Sequence, residues 1–202
     1  MATFPANCDF PARVVAIDVG ATKITGSIVR YDSAEAEPVV EDSRTVATEA
    51  MKGGASVLDK ICSLASDIAA CAPASPLGIG VGTAGRVDAK SGDIAYANDL
   101  MPGWGGQPLA SALREHCGVP TAVLNDVQAY AAGEARWGAG RGADTCIMIA
   151  AGTGVGGAVI AHGRIVRGKH GFAGEVGHMA SSVATGIPCV CGGSGHLESV
   201  AA

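Results

Sequence analysis

Charged and aromatic side chains are scarce in this sequence. Charged residues fill 16% of its 202 positions and aromatic ones 4%. Positive charge is the scarcest: 14 Lys and Arg against 19 Asp and Glu leave a formal net charge of -5. A nucleic-acid surface needs a basic stripe, and none is present, so nucleic acid is not an expected partner. No apolar run reaches the ~18 residues of a membrane-spanning helix, so no membrane association is expected. Met1 to Arg13 has no basic stretch followed by an apolar core, so no secretory signal is read there. A disulfide framework is lacking as well. The cysteines number seven, an odd count, and Cys8, Cys62, Cys71, Cys117 and Cys146 stand singly. That pattern fits a reducing cytoplasm. Cys62, Cys71 and Cys117 read as small apolar packing residues.

Apolar residues, by contrast, make up 48% of the chain, and glycine is abundant at 30 residues, about twice the ordinary ~7%. So many glycines point to tight turns and close approach of backbone to a ligand. Residues 1–12 read as a loose tail. Val14–Ile17, Ile24–Arg30 and Pro38–Ala47 read as strands joined by short turns, hence antiparallel. Val57, Ile61, Leu64 and Ile68 recur at helical spacing, with Gly53-Gly54 before them and Pro73 and Pro76 after. A strand over Leu77–Val81, a loop over 82–105, a helix over Leu109–His116, a strand over Thr121–Leu124 and a helix over Val127–Trp137 complete a β-β-β-α-β-α-β half. That order predicts an α/β fold with a mixed sheet and helices on its faces. After Arg141 the pattern restarts, with strands at Cys146–Ala150, Val155–Ala161 and Arg164–Val166. The expected domains are residues 1–122 and residues 123–202. A β-β-β module needs covering helices, and the sequence ends at Leu197–Val200 in what reads as the first turn of one. The second lobe is therefore expected to be truncated at the C-terminus.

Four segments carry candidate chemistry. Asp18-Val19-Gly20-Ala21-Thr22-Lys23 lies between two strands. Backbone N–H groups and the Thr22 hydroxyl there suit phosphate oxygens, and Asp18 suits Mg²⁺ held through water. The same residues also read as an ordinary hairpin. Gly152-Thr153-Gly154-Val155-Gly156-Gly157 repeats the design at the start of the second module, and the two turns together would bracket a nucleotide between the lobes. Asn125-Asp126 stands where a strand meets a helix, the edge at which α/β proteins place ligands. Either residue would serve as a plain N-cap, whereas a functional Asp126 would be a general base on a sugar hydroxyl. Glu175-Val176-Gly177-His178 and Cys189-Val190-Cys191-Gly192-Gly193-Ser194-Gly195-His196 supply two Cys and two His. His178, Cys189, Cys191 and His196 match a closed tetrahedral Zn²⁺ site; the alternative is a redox-sensitive Cys pair without metal. Glu175 and Glu198 flank the cluster as acceptors for sugar hydroxyls.

Assembled in order, these motifs resemble the ROK family of bacterial glucokinases, N-acetylhexosamine kinases, fructokinases and sugar-responsive repressors, over about Val14 to Val200. Asp18–Lys23 is similar to the family's first phosphate loop and Gly152–Gly157 to its second. Gly82-Thr83-Ala84-Gly85-Arg86-Val87-Asp88 resembles its sugar-side loop, and Asn98 with Pro102-Gly103-Trp104 its sugar-contacting segment. Asn125-Asp126 resembles its catalytic pair. Glu175–His178 resembles ExGH, and Cys189–Glu198 resembles CxCGxxGCxE. The resemblance implies the two-lobed actin-like (ribonuclease-H-like) sugar kinase fold. It also implies an ATP-dependent hexose kinase with Asp126 as base. Asp18, Gly20, Thr22, Lys23, Gly152, Thr153 and Gly154 would sit at the nucleotide. Gly85, Asn98, Asn125, Asp126, Glu175, His178 and Glu198 would sit at the sugar. ATP, Mg²⁺ and a structural Zn²⁺ are the implied cofactors, a hexose the implied substrate and a homodimer the implied assembly. One position departs from the pattern: the third cysteine of the zinc motif is His196, which changes the ligand charge from -1 to neutral.

Two other functions compete with the kinase. A sugar-sensing transcriptional repressor would carry an N-terminal helix-turn-helix, and only about thirteen residues precede the first strand here. A non-catalytic, zinc-stabilised sugar-binding fragment suits the expected truncation. Glucose, N-acetylmannosamine, N-acetylglucosamine and mannose stay open as substrates, and polyphosphate stays open as donor.

Overall fold

The computed structural model describes residues 4–5, 7–152 and 154–202. Two compact units divide the chain, one ending at Asp126 and the other running from Val127 to Ala202. The first reaches four residues past the 122/123 boundary read from sequence, because the strand over Thr121–Asn125 completes its sheet.

The first unit is built on a five-stranded mixed sheet. β1 (Ala12–Val19), β2 (Lys23–Tyr31) and β3 (Val39–Ala47) form an antiparallel meander. β4 (Ile79–Thr83) then adds parallel to β1 after the crossover helix α1 (Gly54–Cys71). β5 (Arg86–Val87) and β6 (Ile94–Tyr96) make a small separate hairpin. A second crossover helix, α2 (Leu109–Cys117), leads to β7 (Thr121–Asn125), parallel to β4. The order across the sheet is β3-β2-β1-β4-β7. Parallel strands need such crossovers, and α1 and α2 supply them.

The periodicity of α1 explains its docking. Val57, Ile61, Leu64 and Ile68, which recur along one side, are all buried. They join Val15, Ile17, Val19, Ile24, Ile28, Ile79 and Val81 from the strands, with Leu109 and Leu113 of α2, in one core. Burial of one such aliphatic side chain contributes about 1.5–3 kcal/mol. Trp104 is fully buried in the same core, and its Nε1 donates to the Thr83 hydroxyl at 3.2 Å.

In the second unit, α3 (Asp126–Trp137), which begins at the last residue of the first, precedes β8 (Thr145–Ala151), β9 (Val155–Ala161) and β10 (Arg164–Val166). These strands form an antiparallel sheet in the order β10-β9-β8. Ala131 and Ala135 of α3 pack on Ala158, Ile160, Cys146 and Met148. The alternate residues of β8, Ile147 and Ile149, are exposed at 63% and 64%. Beyond β10 the chain runs in turns to a short helix, α4 (Glu198–Ala201).

The strands and helices fall where the periodicity puts them, and two expectations change. Residues 82–105, expected as loop, contain the β5–β6 hairpin. Its turn is tied by Asp88 Oδ1, which accepts from the N–H groups of Lys90 and Ser91 at 2.9 and 2.8 Å. The N-terminal tail is not loose at Phe4 and Phe10. The ring of Phe4 packs edge-on against Phe10 and Tyr31, with centroids 5.2 and 5.1 Å apart. No helix among the described residues is long and apolar enough to cross a membrane.

Candidate functional site

Strand register places the first group of residues. Val19 pairs with Thr83, and Thr83 pairs with Asn125. The carboxyl ends of β1, β4 and β7 therefore lie abreast, and the three segments that follow them start from one edge. In open α/β sheets that edge is where ligands bind. Asp18 is exposed at the end of β1, flanked in register by Thr25 and Gly82. The turn that follows is closed by the Gly20 N–H, which donates to the Lys23 carbonyl at 3.0 Å. Thr22 and Lys23 are exposed beside it.

Sequence reading missed the brace beneath this turn. Thr48, fully buried, donates from Oγ1 to the Gly20 carbonyl at 2.7 Å and from its N–H to the Thr22 carbonyl at 3.0 Å. Lys60 of α1 donates to the carbonyls of Ala47 and Thr48 at 3.0 and 3.3 Å and pairs with Glu49. Hydrogen bonds from Lys52 and Lys60 hold the Glu49 carboxyl down at about 2. A polar residue directly after a strand was the only local signal of this network.

The loop after β4 is tied to its neighbours. The Ala84 N–H donates to the Val19 carbonyl at 3.0 Å. Asn125 Nδ2 donates to the Gly85 carbonyl at 3.1 Å, so two of the expected sugar-side residues meet. Gly85 has φ +93°, and a Cβ there would lie 2.6 Å from the Tyr96 carbonyl oxygen. Both facts require glycine. Asn98 is half-buried, and its Oδ1 accepts the Leu100 N–H at 3.2 Å, a local turn. Asp126, half-buried, is the first residue of α3.

The second unit holds the remaining candidates. Between β8 and β9, the Gly152 N–H donates to the Gly154 carbonyl at 2.9 Å and the Val155 N–H to Glu198 Oε2 at 2.9 Å. Thr153 lies outside the described residues. Glu175 is exposed, and its Oε2 is 3.8 Å from His178 Nε2.

Cys189, Cys191, His178 and His196 converge as the sequence spacing suggests. One ligand atom from each lies within 4.8 Å of the others. Cys189 Sγ is 3.7 Å from His178 Nδ1, and Cys191 Sγ is 3.2 Å from His196 Nδ1. Bonds of about 2.0–2.3 Å around a tetrahedral zinc put ligand atoms about 3.3–3.8 Å apart. The donor set fits the ion and the two Cys–His contacts lie close to that range, while the full set spreads over up to 4.8 Å. Backbone bonds shape the loop: the Cys189 N–H donates to the Gly193 carbonyl at 2.9 Å and the Leu197 N–H to the Met179 carbonyl at 2.9 Å. The other ring nitrogen of His178 lies on the side of Glu175, at 3.8 Å, beyond hydrogen-bond distance. A hydrogen bond from the Cys191 backbone pulls the Cys189 thiol down. Burial and the Cys191 sulfur outweigh it, and the thiol sits above its ordinary value. It is placed to donate to Glu198 Oε1, 3.7 Å away.

The comparisons with known proteins give the family and the fold. The chain belongs to the ROK family, which it matches over residues 14–202. It is 42% identical over 125 residues to the glucokinase of Halalkalibacterium halodurans, covering 62% of this chain and 37% of that one. It is 35% identical over 133 residues to the xylose repressor of Caldicellulosiruptor bescii, covering 64% of this chain and 33% of that protein. Among solved structures, the ROK glucokinase of Streptomyces griseus in complex with glucose and AMPPNP superposes with a TM-score of 0.77 at 32% identity. That match covers 93% of this chain and 56% of the neighbour. The fold is thus the actin-like fold of ROK sugar kinases. The chain spans only a third to just over a half of the length of these relatives.

Proposed function

We propose that the chain carries the site of an ATP-dependent hexose kinase, with glucose or an N-acetylhexosamine as the sugar. The observation that carries this reading is the shared edge of β1, β4 and β7. It brings the Asp18–Lys23 turn, the Gly85 loop and Asp126 to one end of the first sheet. Phosphoryl transfer relies on positioning and charge neutralisation, and that edge offers both. The sugar hydroxyl oxygen attacks the terminal phosphorus of ATP. The phosphorus–oxygen bond to ADP breaks, and the hydroxyl proton passes to the Asp126 carboxylate. Asn125 steadies the Gly85 loop against which the sugar lies, and Asn98 is assigned to the sugar as well. In the second unit, Glu175 and Glu198 carry acceptors suited to sugar hydroxyls, and His178, with Nδ1 on the Cys/His cluster, keeps its Nε2–H as a donor. Gly20, Thr22 and Lys23 form the phosphate-holding turn proposed for the first unit; Gly152, Thr153 and Gly154 form the one proposed for the second.

Asp18 is the carboxylate that would hold Mg²⁺ through water, and the ion would neutralise phosphate charge. His178, Cys189, Cys191 and His196 would hold Zn²⁺ in a structural role, keeping Glu175, His178 and Glu198 in place.

A coupled assay with ATP over a panel of hexoses, on the sequence extended at its C-terminus to the length of its relatives, tests the proposal, run beside sugar binding by calorimetry. Turnover of at least one hexose is expected. Sugar binding without turnover favours the second reading, sugar sensing without catalysis, for which the likeness to a repressor speaks. Absence of both refutes the kinase assignment for this chain.

A further inference from the structure

Glu198 sits where two parts of the second unit meet. Its Oε2 accepts the Val155 N–H at 2.9 Å, across 43 residues of sequence. Its Oε1 faces Cys189 Sγ at 3.7 Å. The carboxylate therefore has one oxygen on the glycine turn and one beside the Cys/His cluster. The S–H contact lasts only while Cys189 keeps its proton, so in a metal-bound cluster the link to Glu198 runs through the backbone from His196. The neighbouring glycines make room for it. A Cβ on Gly154 would stand 2.6 Å from Glu198 Oε2, and a Cβ on Gly177 would stand 2.0 Å from the Val155 carbonyl oxygen. Val155 is thus gripped on its N–H side by Glu198 and approached on its carbonyl side by the Glu175–His178 segment.

We propose that Glu198 is a positioning residue for the Gly152–Val155 turn and transmits to that turn the state of the Cys/His cluster. The inference rests on the reading of this turn as a phosphate holder. The Val155 N–H is already engaged by a carboxylate, so its part is to fix the shape of the turn and not to meet an anion. Gly152 spends its N–H within the turn as well, on the Gly154 carbonyl. Glu198 lies seven residues beyond Cys191 and two beyond His196. A metal ion closing the four-ligand cluster therefore fixes the segment that presents this carboxylate, and loss of the ion frees it.

The test follows the Val155 amide in the isotope-labelled 202-residue chain, by hydrogen exchange and proton chemical shift. Wild type, Glu198→Ala and Glu198→Gln are compared with zinc and after chelation, and zinc content is measured on each sample. In Glu198→Ala the Val155 amide should exchange about tenfold faster or more, as expected for a lost hydrogen bond to a charged group. Amides of the β8–β9 ladder such as Val159 should keep their protection. Glu198→Gln retains an oxygen acceptor and should recover most of the effect, which a general loss of packing would not allow. Chelation should loosen Val155 in wild type and have no further effect in Glu198→Ala. Unchanged Val155 exchange in Glu198→Ala overturns the proposal. So does a zinc effect that persists in that variant, or bound zinc whose removal leaves Val155 unmoved. Zinc absent from wild type overturns the transmission and the metal reading together, while the alanine–glutamine comparison still decides the tie. ATP binding is titrated in parallel. A loosened Val155 with unaltered ATP affinity would leave the tie standing and sink the phosphate reading of the turn.

Discussion

Asn125 donates from Nδ2 to the carbonyl oxygen of Gly85 at 3.1 Å, across 40 residues of sequence. The bond joins the end of β7 to the loop after β4 and places the residue before Asp126 against the glycine that no other side chain could replace. Two substitutions separate positioning from proton transfer. Asn125→Ala should raise the sugar KM and change kcat less. Asp126→Asn preserves size and the start of α3 but removes the proton acceptor, so kcat should fall about 100-fold or more with sugar binding retained. Steady-state kinetics with the hexose that turns over measure both. Near-full turnover in Asp126→Asn would exclude it as the base.

The brace under the first turn predicts a pH dependence. Lys52 and Lys60 hold the Glu49 carboxyl at about 2, against an ordinary value of 4.5. The folded state favours the charged form, so the pair's contribution is complete above about pH 4.5 and disappears as pH falls toward 2. Glu49 is exposed, and the contribution is small. Melting temperatures of wild type and Glu49→Gln should differ at pH 6 and converge as pH falls below 4.5. A constant gap across that range would contradict the assignment. Lys60→Met should retain the fold and weaken ATP binding, because the Thr48 segment under Gly20 loses a tether.

Trp104 and Thr83 form a buried pair. Trp104→Phe removes the donor to the Thr83 hydroxyl, which still donates to the Ala84 carbonyl at 3.1 Å, and loss of the hydrogen bond should cost about 0.5–1.5 kcal/mol. Both single variants break the same Trp104–Thr83 bond, so the double variant with Thr83→Val should be less destabilised than the sum of the singles. Urea denaturation of the four chains measures the coupling. Strict additivity would show that the bond contributes nothing.

The Cys/His cluster predicts about one zinc per chain by elemental analysis. Cys191→Ser should lower that content and weaken sugar binding more than ATP binding. Zinc affinity should fall as pH is lowered, because thiols and imidazoles must lose protons to bind. A metal-free chain with full sugar affinity would show that His196 does not complete a working site.

The strands and crossover helices were legible because short apolar runs alternate with glycine and proline punctuation. The four metal-ligand candidates were legible because they fall within nineteen residues of sequence. The β5–β6 hairpin was not. Two- and three-residue strands have no periodicity of their own, and Asp88 closes their turn by side-chain bonds. The Thr48 and Lys60 brace and the Glu198 tie were hidden for another reason. They join residues 12 to 43 positions apart, and the polar types involved serve equally well on a solvated surface.

The alignment of Val19, Thr83 and Asn125 has a consequence for how such a site tolerates change. Pleated strands alternate faces, so a slip of one residue in any pairing would turn a whole strand over. The buried side chains forbid that slip. Height along the sheet is therefore set by the core, and the three connections that leave from it can lengthen, shorten or exchange residues independently. On the kinase reading, substrate preference would drift loop by loop while the carboxylate at position 126 keeps its station.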